Sequence, residues 1–367
     1  MRYKSGFAFS FPKLLANPIF FIPLALITIG IFFTASASSN DAINFNDQNF
    51  FLRRQIIWTF ISVILFVIAA KINIDLVFRH SIWFYLITLV LLLATLIPAL
   101  NYSALGASRW LKIGPLTLQP SEVAKLTTII LFSRLLSDKK YHRLSLIVPY
   151  FLPIVIFLLL QPNFSTVVLL SALVLGLFYQ SGGNLAHIFS ISLVGFLLGL
   201  VLIFSSSYRL NRWQQLFSAN TTNNYHSQQL LIGIKRGQLF GVGLGNSEQK
   251  FRFIPKIATD SLLAVIIEET GVLGLSLIFG LLTILVNYLY RLARICDQSH
   301  LSLFLGAIAL WIGIQALINT GAITAIVPLT GVPFPFISYG GSSLSILMIA
   351  LGLAANIQKN HCLKTKS

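Results

Sequence analysis

Asp260 stands where a polar stretch gives way to an apolar one. It follows the run Gly241-Val242-Gly243-Leu244-Gly245-Asn246-Ser247 and its continuation to Thr259, and it precedes Ser261-Leu262-Leu263-Ala264-Val265-Ile266-Ile267. A carboxylate at the mouth of an apolar span is costly and is retained where it is used. The chain carries only 10 Asp and Glu in 367 residues, so Glu122, Glu268 and Glu269 need the same explanation. On a helix starting near Asp260, Glu268 lies about 80° round and ~12 Å deeper, with Glu269 on the far side. The paired acid and base of soluble glycosidases is therefore not apparent. Asp260 stands alone at a rim, and the two glutamates are expected to pair with a basic residue or with a polar group on another span.

Glu122 and Lys125 are three residues apart, on neighbouring faces of one helix. They either neutralise each other so that a span can insert, or form a polar wall of a substrate cavity. Ser121 is placed to cap that helix. Upstream, Gly106-Ala107-Ser108-Arg109-Trp110-Leu111-Lys112 puts two cations in one short loop. Arg109 and Lys112 suit either lipid headgroups or substrate phosphates, for which arginine has a planar donor fork. Gly241, Gly243 and Gly245 lack the preceding strand of a nucleotide site and are read as tight turns. The run Val327 to Ser343, with Pro328, Pro333 and Pro335, is either a re-entrant plug or a further cavity wall, with Ser338 as its candidate contact. Gly340 to Ser343 favours close helix approach.

These residues must be positioned by membrane helices. The chain is 56% hydrophobic and 10% charged, with mean hydropathy +0.82, against about 25% charge in soluble domains. The expected architecture is an all-α polytopic membrane protein, one domain over residues 1–367. About ten spans are read at 18–36, 54–71, 81–99, 121–137, 145–161, 164–180, 185–204, 260–289, 301–320 and 340–358. The basic start, the apolar run from Pro18 and Ala35-Ser36-Ala37 approach a secretory signal, but an uncleaved first span is favoured. More than half of the 26 lysines and arginines, among them Lys139, Lys140, Arg291 and Arg294, fall on one side. That side is cytoplasmic and holds both termini. The one long extracytoplasmic loop then lies between spans seven and eight, at about 205–259. Amphipathic helices at 212–218 and 226–234 are expected to lie on the membrane surface there. The net charge of +16 fits this topology and anionic lipid; nucleic acid is not indicated, because the cations form no single stripe. Cys296 and Cys362 fall on the cytoplasmic side, with no disulfide expected. No Cys/His cluster has metal-ligand spacing.

The segments together resemble the SEDS family (shape, elongation, division and sporulation), the RodA/FtsW-type peptidoglycan polymerases. The resemblance rests on Arg53-Arg54-Gln55, the Gly106–Trp110 motif, Gln119-Pro120-Ser121-Glu122-Val123-Ala124-Lys125 and the glycine run ending in Gln249-Lys250. It continues through Thr259-Asp260, Glu268 to Gly271, and Pro335-Phe336-Ile337-Ser338-Tyr339-Gly340-Gly341-Ser342-Ser343, in the family's order. It implies a glycosyltransferase of the bacterial cytoplasmic (inner) membrane that polymerises lipid II at the outer face. Asp260 falls on the family's essential aspartate, as general base toward the acceptor 4-hydroxyl. Arg109, Lys112 and Lys250 would neutralise the leaving diphosphate. The implied partners are a class B penicillin-binding protein and other division or elongation proteins, with a lean to division. No cofactor is implied with certainty, and a divalent cation is left open. The chain departs from the family at Lys256, Ala258 and Ser261 around Asp260, and at Asn163 after Gln161-Pro162. A lipid II flippase and a non-catalytic scaffold for a transpeptidase are the competing readings.

Overall fold

The computed structural model describes residues 17–41, 50–98, 101–104, 107–114, 116–142, 146–205, 210, 225–248 and 260–362. Helices dominate. In chain order they are α1 (Pro18–Asp41), α2 (Phe50–Ala69), α3 (Ile74–Arg79), α4 (Ser81–Ala94), α5 (Pro120–Leu136), α6 (Val148–Leu160) and α7 (Phe164–Gln180). They continue with α8 (Leu185–Phe204), α9 (Tyr225–Gly237), α10 (Leu262–Ile295), α11 (Ser299–Ile323) and α12 (Gly341–Ile357). Five helical stretches, in α1, α2, α10, α11 and from α12 to Cys362, are long and apolar enough to cross a membrane. Shorter apolar helices are α4, α6, α7 and most of α8. The chain is a multi-pass membrane protein.

Local chemistry sets the helix starts. Asn17 accepts from the Ile19 N–H through Oδ1 at 3.0 Å and precedes Pro18, where a missing donor costs nothing. Pro149 falls in the first turn of α6 for the same reason, so within α6 Pro153 is the interior proline, as Pro23 is within α1. In α5, Pro120 takes the first position after Gln119 as cap. Ser121, expected to cap, instead lies inside the first turn, and its buried hydroxyl has no hydrogen-bond partner among the described residues.

α5 is buried along nearly its whole length, which explains its tolerance of charge: its polar groups face protein rather than lipid. α2 and α12 pack along each other closely enough that a Cβ on Gly352 would stand 2.5 Å from the Phe66 carbonyl oxygen. Ser62 and Ser345 hydroxyls meet across that seam at 3.0 Å. A Cβ on Gly341 would overlap the Trp58 ring, so the small run at 340–343 does serve close approach. Trp311, Phe66, Phe132, Phe178, Phe304 and Phe334 fill the centre.

Two features depart from the expected layout. The loop before α5 is a three-stranded antiparallel sheet, β1 (Asn101–Ala104), β2 (Ala107–Ile113) and β3 (Leu116–Leu118) in that order. Tyr102 opposes Trp110, and Lys112 opposes Thr117. The turn after Ile113 uses Gly114 at φ +60°, a conformation that favours glycine. The second departure is in α10, which breaks at Gly271 (φ 66°, ψ −159°). A helical facing argument therefore fails beyond Thr270. It also fails at its start, because Asp260 lies in the turn before the Ser261 cap.

Candidate active site

The sequence places three polar elements near the start of α10, and the structure ties them together through α11. Asn319 donates through Nδ2 to the Asp260 carbonyl at 3.0 Å and to the Val332 carbonyl at 2.8 Å. One turn earlier, Gln315 donates through Nε2 to the Pro333 carbonyl at 2.9 Å. Its Oε1 accepts from Lys125 Nζ at 3.1 Å and from Trp311 Nε1 at 2.8 Å. Lys125 Nζ meets Glu122 Oε2 at 2.7 Å, and both side chains are buried. The ammonium also lies 5.2 Å from the Trp311 ring centroid, within cation–π range. Gln315 and Asn319 are four apart and share one face of α11. Their spacing places the Glu122–Lys125 pair about one turn, ~6 Å, along α11 from the backbone of Asp260.

The loop from α11 to α12 forms the other wall. A Cβ on Gly331, itself at φ +68°, would stand 3.5 Å from Asp260 Oδ2. The carboxylate therefore lies against bare backbone, and Asp260 is half-buried. Ser165 at the start of α7 donates to the Thr330 carbonyl at 2.9 Å. Arg109 on β2 donates through Nε to the Gln161 carbonyl at 3.3 Å, and through Nη2 to the Pro162 carbonyl. The sheet, the α6–α7 turn, the last loop and Asp260 thus form one connected rim. Ser342 binds the sheet to α12: it donates to the Thr117 carbonyl at 3.0 Å and accepts from the Gln119 N–H at 3.1 Å.

The sequence-derived candidates separate on this frame. Glu122 and Lys125 form one buried unit. Arg109 braces the α6–α7 turn, and Lys112 is exposed on β2. Ser338 is buried and accepts from the Phe334 N–H at 3.0 Å, so it closes the last loop on itself. Lys250, Lys256 and the expected helix at 212–218 lie outside the described residues. Gln315 and Asn319 were not singled out from sequence, because a search on charge passes over amides. Two amides one turn apart in an otherwise apolar span were the available signal.

Glu268 and Glu269 do something else. Glu268 accepts from Ser247 Oγ at 2.5 Å and from the Glu248 N–H at 3.3 Å, with Arg236 Nη1 at 3.9 Å. Glu269 Oε2 accepts from the Gly245 N–H at 2.9 Å. Their backbone carbonyls accept from Val242 and Gly243, at 2.9 and 3.1 Å. The partners lie on α9, where Arg236 is the basic residue allowed for Glu268 from sequence, and on the glycine segment rather than on another span. Gly241, Gly243 and Gly245 all have positive φ, which lets this segment lie across the break in α10. α9, where a surface helix was expected at 226–234, packs along the start of α10: a Cβ on Gly237 would overlap the Ile267 carbonyl. The exposed Arg236–Glu248 pair flanks the segment, and the guanidinium holds the Glu248 carboxyl below its ordinary range.

Among the described residues, no group of three His, Cys, Asp or Glu side chains could hold a metal ion. Cys296 and Cys362 are both buried, with sulfurs 2.7 Å apart.

The family model described as "Cell cycle protein", FtsW/RodA/SpoVE, matches residues 17–362. Over 345 residues the chain is 32% identical to the "Probable peptidoglycan glycosyltransferase FtsW" of Trichlorobacter lovleyi, covering 91% of this chain and 90% of that one. It superposes on the Thermus thermophilus rod shape determining protein RodA with TM-score 0.71 at 25% identity, over 94% of this chain and 96% of that one. A chain from a structure of "a peptidoglycan synthase complex" gives TM-score 0.79 at 24% identity, covering 94% and 98%. This chain belongs to the FtsW/RodA/SpoVE family.

Proposed function

We propose that the chain is a peptidoglycan glycosyltransferase that polymerises lipid II into β-1,4 glycan strands at the outer face of the bacterial cytoplasmic membrane. The observation that carries the reading is the rim at Asp260. A half-buried carboxylate lies against glycine backbone, and its own main chain is held by Asn319. A base needs reach to one hydroxyl and a fixed position, and this arrangement supports both. In the proposed step Asp260 takes the proton of the acceptor sugar 4-hydroxyl while that oxygen bonds to the donor anomeric carbon. The bond from that carbon to the diphosphate breaks, undecaprenyl diphosphate leaves as the anion, and the anomer inverts.

Arg109, Lys112 and Lys250 are proposed to meet the diphosphate, and Glu122, Lys125 and Ser338 to shape the cavity beneath it. Arg109 keeps part of its fork committed to the α6–α7 turn, so its role couples phosphate contact to the position of that turn. A class B penicillin-binding protein is the proposed partner, in division or elongation. The flippase alternative needs polar groups free along a path through the membrane. Glu268 and Glu269 instead pin the glycine segment, which weighs against it.

The test is polymerisation of labelled lipid II by the purified protein, with and without the partner, comparing wild type with Asp260→Asn. Strands from wild type alone support both enzyme and base. Equal strands from both would remove Asp260 as base. No strands from either, with the partner present, would move the reading to a flippase or a scaffold.

A further inference from the structure

At the end of the bundle opposite Asp260 a cavity of about 270 Å³ opens between three elements. It is lined by Asp75, Phe78 and Arg79 of α3, Arg134 and Ser137 at the end of α5, and His300 in the first turn of α11. Arg134 and Glu122 are twelve positions apart on α5, which separates the two sites by ~18 Å along that helix. α10 starts beside Asp260 and ends at the turn that leads into His300, so the cavity lies at the other membrane face. The proposed polymerase chemistry does not reach it.

The lining is built for an anion. Arg134 spends one nitrogen on the protein: Nη1 donates to the Phe78 carbonyl at 2.9 Å, the Arg79 carbonyl at 2.7 Å and Ser81 Oγ at 3.2 Å. These bonds fix the guanidinium plane on the end of α3. Among the described residues its Nε and Nη2 make no hydrogen bond, so the edge formed by Nε–H and one Nη2–H is available for a two-point contact. Arg79 is exposed and its side chain has no hydrogen-bond partner among the described residues. The Phe78 ring forms an apolar contact with the His300 ring at 4.9 Å. The cavity also adjoins the start of a 25-residue helix, α11, whose first-turn N–H groups add positive potential. Asp75 is the single acid in the lining and forms no ion pair with either arginine among the described residues. Beyond Ser137 the exposed run Asp138-Lys139-Lys140 adds two cations and one acid, and Asp138 Oδ1 accepts from the Lys140 N–H at 3.0 Å.

Cations placed only to orient the chain need neither a cavity nor a fixed fork. A planar fork held in place with its donors turned outward is suited to phosphate oxygens. We infer that the Arg79–Arg134 cavity binds a phosphate group, carried by an anionic phospholipid headgroup or by a soluble phosphate in the cytoplasm.

The purified protein is titrated in detergent with phosphatidylglycerol in one arm and with inorganic phosphate in the other. Binding is read by native mass spectrometry and by thermal shift. The variants are Arg79→Gln, Arg134→Gln and, as a control for lost charge, Arg291→Gln/Arg294→Gln. Arg79→Gln removes no bond seen in the structure and keeps the test valid if Arg134→Gln loosens α3. Wild type is expected to bind in at least one arm. Arg79→Gln is expected to weaken that binding about tenfold, the effect of one charge-assisted hydrogen bond, while the control changes it less than twofold. A response to phosphatidylglycerol alone assigns a lipid, and a response to phosphate assigns a soluble ligand. Equal losses in Arg79→Gln and the control, or no saturable binding in either arm, would overturn the inference.

Discussion

The buried Glu122–Lys125 pair can be tested as structure and as site in one set of variants. Replacing Lys125 by Met removes the ammonium from Glu122 at 2.7 Å and from Gln315 at 3.1 Å and keeps the volume. The Glu122 carboxylate is then left in a dry interior. Breaking a buried pair from one side costs about 3–5 kcal/mol, whereas replacing both partners with apolar residues is near neutral. For a chain of this size that single-variant loss corresponds to a melting temperature lower by roughly 4–6 °C. Lys125→Met is therefore expected to melt early, and Glu122→Leu/Lys125→Met to recover most of the difference. If the pair also shapes the substrate cavity, the recovered double variant still polymerises lipid II at least tenfold more slowly than wild type. Melting is followed in detergent by intrinsic tryptophan fluorescence, and polymerisation by gel analysis of labelled glycan. A Lys125→Met protein as stable as wild type would refute the burial argument. A double variant with full activity would confine the pair to a structural role.

Three further outcomes follow from the same geometry. Asn319→Leu leaves the Asp260 and Val332 carbonyls without their donor, at about 1–3 kcal/mol for each unsatisfied group; turnover of lipid II is expected to fall more than KM rises, measured by steady-state kinetics. Gly271→Ala forces a side chain into positive φ, with its Cβ 2.4 Å from the Leu239 carbonyl oxygen; limited proteolysis within 238–248 is expected to quicken, and unchanged cleavage would contradict the close docking. Glu248 has its carboxyl held low by Arg236, so its contribution is present above the unfolded value of about 4.5 and is lost as pH falls through the lower folded value. The difference in melting temperature between wild type and Glu248→Gln is accordingly expected near neutral pH and to shrink in acid.

What the sequence made legible depended on which physical signal each element carries. Apolar length fixed the helices within a few residues, since a span must satisfy its backbone internally. Glu122 and Lys125 were found together because charge in an apolar run is conspicuous. The sheet before α5 was missed: Arg109-Trp110-Leu111-Lys112-Ile113 alternates over too few residues to separate a short strand from a loop. The break at Gly271 was missed because glycine is common in membrane helices, and only the distant segment around Gly241 shows why the chain turns there. A basic partner for the glutamates was legible, and Arg236 stands 3.9 Å from Glu268, but the backbone N–H groups of Gly245 and Glu248 and the Ser247 hydroxyl that also hold them are revealed by no pattern of side-chain types. Asn319 and Gln315 act through main-chain carbonyls of the last loop, so their role appears only once α11 and that loop are placed side by side.

The clip between the glycine segment and α10 also bears on the order of synthesis. Gly245, Ser247 and Arg236 precede Glu268 and Glu269 in the chain, so the donors have been made before the acids they receive. When α10 partitions into lipid its two carboxylates can dock at once on a segment already at the membrane, and a bare charge at mid-span costs a few kcal/mol on insertion scales. The contact joins residues only 20 to 24 positions apart, so it can close without the remaining helices. A circular permutant that delivered α9 after α10 would present the same contacts in the finished fold but would ask the ribosome-bound chain to insert two unpartnered acids first.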